Sequence, residues 1–149
     1  MAQSLVESLG KEPVRSKVVD ECVDLVEGQV KTKGFMLKSA YATIKAVKKR
    51  FVPEVVDALL DEWLGKLQPH YDKWDATKPG AFSDYIIARS DDVAEDLLSV
   101  TDDRAAKTSH GTAKKMYSRM RDTAKKNVIE AIPDLARLIE RRLASQAQA

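Results

Sequence analysis

Apolar side chains recur at helical spacing along almost the whole chain, and this periodicity is the feature that most limits its fold. Val18, Cys22 and Val26 illustrate the four-residue step, which is typical of one face of an amphipathic helix. No run of five residues keeps the strict alternation of a half-buried strand. Gly and Pro are sparse, at 6 and 5 of 149 residues, and this composition also favours helices. The sequence therefore predicts an all-α fold.

Proline and glycine residues, with Ser90 and Thr112 as candidate N-caps, divide these periodic segments into about seven predicted helices. Pro13 and Pro53 lie at first-turn positions, where proline is tolerated. Pro69 and Pro133 are expected to end the helices before them, and residues 69–80 are predicted to form an irregular connection. The helices are expected to stack as antiparallel αα-hairpins, either as a short HEAT-like curl or as an irregular helical bundle.

The length of the chain suits one domain, since domains most often have roughly 100–150 residues. We assign residues 1–144 to a single helical domain and residues 145–149 to a disordered tail. The opening residues lack the pattern of a secretory signal, and no apolar run reaches the ~20 residues of a membrane span. The lone cysteine, Cys22, is predicted to be a buried small hydrophobe. A cytoplasmic protein without a transmembrane segment is expected.

Three segments of similar sequence start 37 and 38 residues apart. Residues 18–24 align with residues 55–61, and residues 93–99 are a looser copy. Periods in this range occur in helical-hairpin repeats, and residues 51–60 resemble the first helix of a HEAT-type repeat. Alternatively, any amphipathic helix with early acidic residues produces such runs. Both interpretations stay open.

Two stretches of the chain carry a likeness to known proteins. The first runs from Leu37-Lys38-Ser39-Ala40-Tyr41 to Trp63, and the second is Val100-Thr101-Asp102-Asp103-Arg104. Through them the chain resembles a family of small bacterial all-helical proteins of unknown function. The resemblance covers most of the length but includes no chemical motif, so it implies no activity and no site residue.

Several acidic residues and two histidines are candidate ligands or catalysts. Asp91, Asp92 and Glu95 look like the aspartate-rich motif with which isoprenoid synthases hold magnesium. The favoured interpretation is that they complement the dipole at the start of a helix. His70 and His110 lie in predicted connections without a partner at zinc-ligand spacing, so solvated loop histidines are expected. We predict no catalytic residue, no metal and no cofactor.

The net charge of +2 is distributed unevenly along the chain. Residues 1–50 carry +4, residues 51–100 carry −7 and residues 101–149 carry +5. An acidic middle between two basic ends predicts internal charge pairing or self-association as readily as an anionic partner.

The predicted helix 112–131 combines an apolar stripe with a basic face. The stripe contains Met116, Met120 and Ala124, which are expected to be buried. A second basic cluster comprises Lys45, Lys48, Lys49 and Arg50. The basic face of the helix, our candidate site for an anion or a partner, comprises Lys114, Lys115, Arg119, Arg121, Lys125 and Lys126.

A basic face of this kind is often solvated or paired internally, but it can also bind a protein, a phosphate backbone or anionic headgroups. No aromatic residue lies between these cations, which argues against base stacking. We therefore expect a non-enzymatic interaction or scaffold module in a bacterial cytoplasm, with a protein partner or a second copy. The alternative is a binder of an anionic ligand, nucleic acid or a membrane surface. A small metal-dependent enzyme built on Asp91, Asp92 and Glu95 is a third class.

Overall fold

The computed structural model describes residues 4–47, 49–109 and 111–147. This part of the chain forms seven helices and no strand, which confirms the all-α prediction. Lys48 and His110, which the sequence placed in a basic cluster and in a loop, lie outside the described residues. The helices are α1 (Leu5–Leu9), α2 (Val14–Lys31), α3 (Phe35–Val47), α4 (Phe51–Thr77), α5 (Phe82–Ile87), α6 (Ser90–Lys107) and α7 (Gly111–Ala147).

Four long helices close into a ring. The helices pack in the order α2, α4, α6 and α7, and α7 packs again on α2. Across the ring, no Cα atoms of α2 and α6, or of α4 and α7, lie within 8 Å of each other in the described chain. The contacts Glu62–Arg104 and His70–Asp96 show that α4 and α6 are antiparallel. A closed ring corresponds to the bundle alternative rather than to an open curl.

Apolar side chains from the ring, from α1 and from α5 form one core. Leu5, Leu9, Val93 and Ile132 have no exposed surface, and a fully buried side chain of this size contributes roughly 1.5–3 kcal/mol. Trp63, which the sequence placed in the core, packs against it as a partly buried side chain.

The short helix α1 was not predicted, and it packs on α2, α4 and α7. Gly10, directly after it, lies in close contact with α4. A Cβ atom at Gly10 would lie 2.7 Å from the Val6 carbonyl oxygen and 2.9 Å from Asp61 Oδ1. Arg15 Nη1 donates to the Gly10 carbonyl oxygen at 2.8 Å and to Asp61 Oδ1 at 2.7 Å. A side chain at position 10 would therefore displace α1 from α4.

The chain continues as a helix through Pro69, so the predicted irregular connection at residues 69–80 is wrong as far as Thr77. His70 lies in this helix, is only 9% exposed and has its Nε2 2.6 Å from Asp96 Oδ2. The prediction of a solvated loop histidine is therefore wrong as well. A proline inside a helix costs roughly 3 kcal/mol, and packing of this segment against α5 and α6 offsets that cost.

The two helices predicted on either side of Pro133 are one helix, α7. Ile132 before the proline and Ala136 and Ile139 after it are at most 3% exposed. Because both sides enter the same core, burial holds the helix together across the break in its hydrogen bonds. Residues 145–147 of the predicted disordered tail belong to α7, and residues 148 and 149 lie outside the described residues. The boundary of the domain at residue 144 stays a prediction.

The similar segments at residues 18–24, 55–61 and 93–99 lie in α2, α4 and α6, and each contributes buried side chains to the shared core. Their likeness therefore has a packing explanation, and a true repeat stays a prediction. No helix of the described chain is both long enough and apolar enough to cross a membrane.

Candidate functional site

The N-terminal half of α7, residues 111–126, contains the predicted basic face but is rotated from the predicted orientation. Met116 and Met120 are 56% and 54% exposed, so the prediction that they belong to the core is wrong. Tyr117, Arg121 and Lys125 face α6 instead. These three positions are four residues apart, so they share one side of the helix.

Arg121 is the centre of this contact with α6. Its Nε and Nη2 donate to the two carboxylate oxygens of Asp102, each at 2.8 Å. Its Nη1 and Nη2 also donate to Glu95 Oε1 and Oε2, at 3.3 and 3.1 Å. One guanidinium thus holds two carboxylates in bidentate geometry, the arrangement that Arg makes best.

Further polar contacts between α6 and α7 lie one helical turn before and one turn after Arg121. Tyr117 Oη donates to Asp102 Oδ1 at 2.6 Å and lies 2.7 Å from Thr101 Oγ1. Lys125 Nζ lies 3.2 Å from Asp91 Oδ1 and 3.0 Å from Glu95 Oε1. We call this set the polar seam. It comprises Asp91, Glu95, Thr101 and Asp102 of α6 and Tyr117, Arg121 and Lys125 of α7.

The charges of the polar seam stabilise one another. Hydrogen bonds from Arg121 and then from Lys125 hold the pKa of Glu95 below its usual value. The hydrogen bond from Arg121 does the same to the pKa of Asp102. The hydrogen bonds to Glu95 and then to Asp91 raise the pKa of Lys125. All these groups therefore stay charged at neutral pH.

The acidic cluster considered as a magnesium site is divided between these contacts. Asp91 and Glu95 pair with Lys125, whereas Asp92 is exposed. Within the described chain, no three His, Cys, Asp or Glu side chains come together in a way that could hold a metal ion.

The predicted basic residues fall into two groups. Arg121 and Lys125 face inward with their side chains about a quarter exposed, so the prediction that they point outward is wrong. The physical reason is that α6 presents carboxylates to them at matching spacing. Among the described residues, the remaining four cations are exposed and make no ion pair, namely Lys114, Lys115, Arg119 and Lys126.

The solvent-facing side of this half is both cationic and apolar. Met116 and Met120 are one turn apart, and the three-residue spacing places Arg119 beside Met116. Lys115 and Lys126 lie on the same side of the helix as Arg119. We call this surface the outer face of α7. It comprises Lys115, Met116, Arg119, Met120 and Lys126, all exposed.

Sequence reasoning missed the two methionines as surface residues because their spacing is also that of a core stripe. The sequence of α6 did contain a signal of the orientation that α7 adopts. Asp91, Glu95 and Asp102 share one side of α6, since they are spaced by four and seven residues. An antiparallel helix with cations at matching spacing pairs with such a row, and this pairing turns the methionines outward.

Comparisons with known proteins place the chain in a family without an assigned activity. No curated protein and no solved structure matches the sequence. The model of a family of unknown function, DUF6918, matches residues 5–143. That match covers nearly the whole helical ring and includes the outer face of α7. The chain belongs to the DUF6918 family.

Proposed function

We propose that the protein is a non-enzymatic interaction module that docks an acidic protein surface on the outer face of α7. The observation that carries the proposal is the placement of two exposed methionines among three cations without an ion pair in the described chain. Both side chains are more than half exposed, so a partner that covered them would remove apolar surface from water.

The polar seam supports the proposal because it fixes the opposite side of the same helix. Arg121 and Lys125 are engaged with α6, so the outer face is already helical before a partner arrives. A surface ordered in advance loses less conformational entropy on binding than a flexible one.

The chemistry of the outer face suits a protein partner. Met and Arg are enriched at protein interfaces, and Lys usually lies at their rim. Met116 and Met120 can adapt to an irregular apolar surface because the thioether chain is flexible. The cations favour an acidic partner through faster association and better discrimination.

Internal charge pairing supports a partner other than a second copy. The acidic middle of the chain already pairs internally through Asp57 and Asp61 with Arg15 and through the carboxylates of the polar seam. Several cations therefore stay unpaired. Self-association, and the cytoplasmic location expected from the sequence, stay predictions.

The test measures the binding of a fluorescent, acidic, amphipathic helical peptide by anisotropy. One variant carries Met116→Ser and Met120→Ser, and a second carries Lys115→Glu, Arg119→Glu and Lys126→Glu. The matched control reverses three exposed cations elsewhere, with Lys17→Glu, Lys66→Glu and Lys73→Glu. We expect both outer-face variants to weaken binding by about tenfold or more and the control to retain it.

Duplex DNA and vesicles containing phosphatidylserine serve as competing probes for the alternative function. Binding to phosphates depends on charge and falls steeply between about 50 and 200 mM salt. If DNA binds, and the methionine variant binds it as well as the wild type, the surface is a phosphate binder. Peptide binding that is equal in the outer-face variants and in the control would contradict the proposal.

A further inference from the structure

The ring of α2, α4, α6 and α7 encloses a cavity of about 260 Å³. Its wall consists of Leu, Val and Ile side chains with Trp63 and Ala131, and its polar groups are the Cys22 thiol, the Thr101 hydroxyl and the Trp63 indole N–H. The cavity lies between the opposite helices of the ring, whose backbones are further apart than those of neighbouring helices.

The wall carries no charge among the described residues that line it. Thr101 Oγ1 donates its one hydrogen to the Leu98 carbonyl oxygen at 2.9 Å, so this hydroxyl has no donor left for a ligand. Burial raises the pKa of the Cys22 thiol to about 11, so this group is neutral under physiological conditions. The cavity thus offers apolar contact area without a charge, and its few polar hydrogens are those of the Cys22 thiol, the Thr101 hydroxyl and the Trp63 indole.

The cavity has a deep part and a rim. Val18, Leu64 and Ile132 are at most 3% exposed and form the deep part, whereas Val26 and Trp63 are partly exposed and form the rim. A small molecule can therefore reach the deep wall by displacing side chains at the rim. Ligand sites of helical bundles commonly lie between facing helices in this way.

We propose that this cavity binds a neutral, compact, apolar molecule of about two fused or linked rings. A cavity of about 150 Å³ lined by Leu, Ile and Phe binds benzene, so a volume of about 260 Å³ fits a larger ligand of the same kind. A charged ligand would have to lose its hydration without finding a partner in the wall, which is costly. The proposal is independent of the outer face of α7.

The probe for the test is 1-naphthylamine, a neutral two-ring aromatic amine whose emission shifts to shorter wavelength in apolar surroundings. We expect saturable binding to the full chain, with energy transfer from tryptophan that persists in the Trp74→Phe variant, where Trp63, which lines the cavity, is the remaining tryptophan. Ala131→Phe fills the cavity and should raise the Kd by about tenfold or more. Ala144→Phe makes the same change at an exposed position of the same helix, and it should leave the Kd unchanged.

Alkylation of Cys22 by N-ethylmaleimide gives a second measurement that needs no variant, because this residue is the only cysteine and lines the cavity. Saturating probe should slow the reaction by about tenfold. If the Ala131→Phe variant loses its helical circular dichroism signal and is therefore unfolded, the slower alkylation of Cys22 in the wild type tests the proposal instead. The proposal is overturned if the wild type shows no saturable binding, if Ala131→Phe stays folded and binds as well as the wild type, or if the bound probe leaves the alkylation rate unchanged.

Discussion

The two halves of α7 are parts of one continuous helix, yet different forces hold them in place. In the C-terminal half, Ile132, Ala136 and Ile139 are buried in the core of the ring. In the N-terminal half, the inward side consists of Tyr117, Arg121 and Lys125, which bind α6 through charges and hydrogen bonds. Apolar periodicity therefore indicates the buried side of a helix only where the facing helix is apolar.

The largest expected difference between the halves is the cost of removing an apolar side chain. Ile132→Ala should lower the free energy of unfolding by roughly 2–5 kcal/mol, because it leaves a cavity in the core. Met120→Ala should change it by no more than about 0.5 kcal/mol, because this side chain is half exposed. Urea denaturation measures both values, and equal costs would remove the distinction.

The polar seam should account for a smaller part of the stability. Arg121→Gln should lower the free energy of unfolding by about 1–2 kcal/mol, since it breaks partly exposed hydrogen bonds to Asp102 and Glu95. Arg119→Gln is the matched control two residues away, and it should change the value by less than about 0.5 kcal/mol. If Arg119→Gln lowers the free energy of unfolding as much as Arg121→Gln does, the orientation described for the N-terminal half of α7 is wrong.

Acid should loosen the N-terminal half of α7 before the C-terminal half. Hydrogen bonds from Arg121 lower the pKa of both Glu95 and Asp102. The stabilisation from a lowered carboxyl pKa is complete above the ordinary range of about pH 4–5 and is lost as the pH falls through the lowered values. Hydrogen exchange measured from pH 7 downward should show amides 111–126 losing protection first. Simultaneous loss in both halves would contradict this prediction.

Much of the fold could be predicted from the sequence, because each long helix of the ring repeats an apolar stripe that enters a common core. Pro69 and Pro133 misled the prediction of helix ends. The local cost of a proline can be read from the sequence, but the burial of residues such as His70 and Ala136 that offsets it depends on tertiary packing. The helix α1 was missed because five residues are too few to show a period.

The candidate site could be predicted only in part. Lys115, Arg119 and Lys126 are exposed as expected, whereas Arg121 and Lys125 pair with α6. The sequence could not decide between these outcomes, because a cation on a helix surface binds water or a facing carboxylate with similar free energy. Which of the two occurs depends on the register between α6 and α7, and that register follows from packing elsewhere in the ring.

The orientation of Met116 and Met120 is the most direct test of the account. The measurement uses protein labelled with ¹³C at the methionine methyl groups and a soluble gadolinium chelate, with Met116→Leu and Met120→Leu to assign the two signals. The account predicts that the chelate strongly broadens both signals, because both side chains are more than half exposed. Two signals that keep their width would place the methionines in the core, and they would contradict both the polar seam and the outer face of α7.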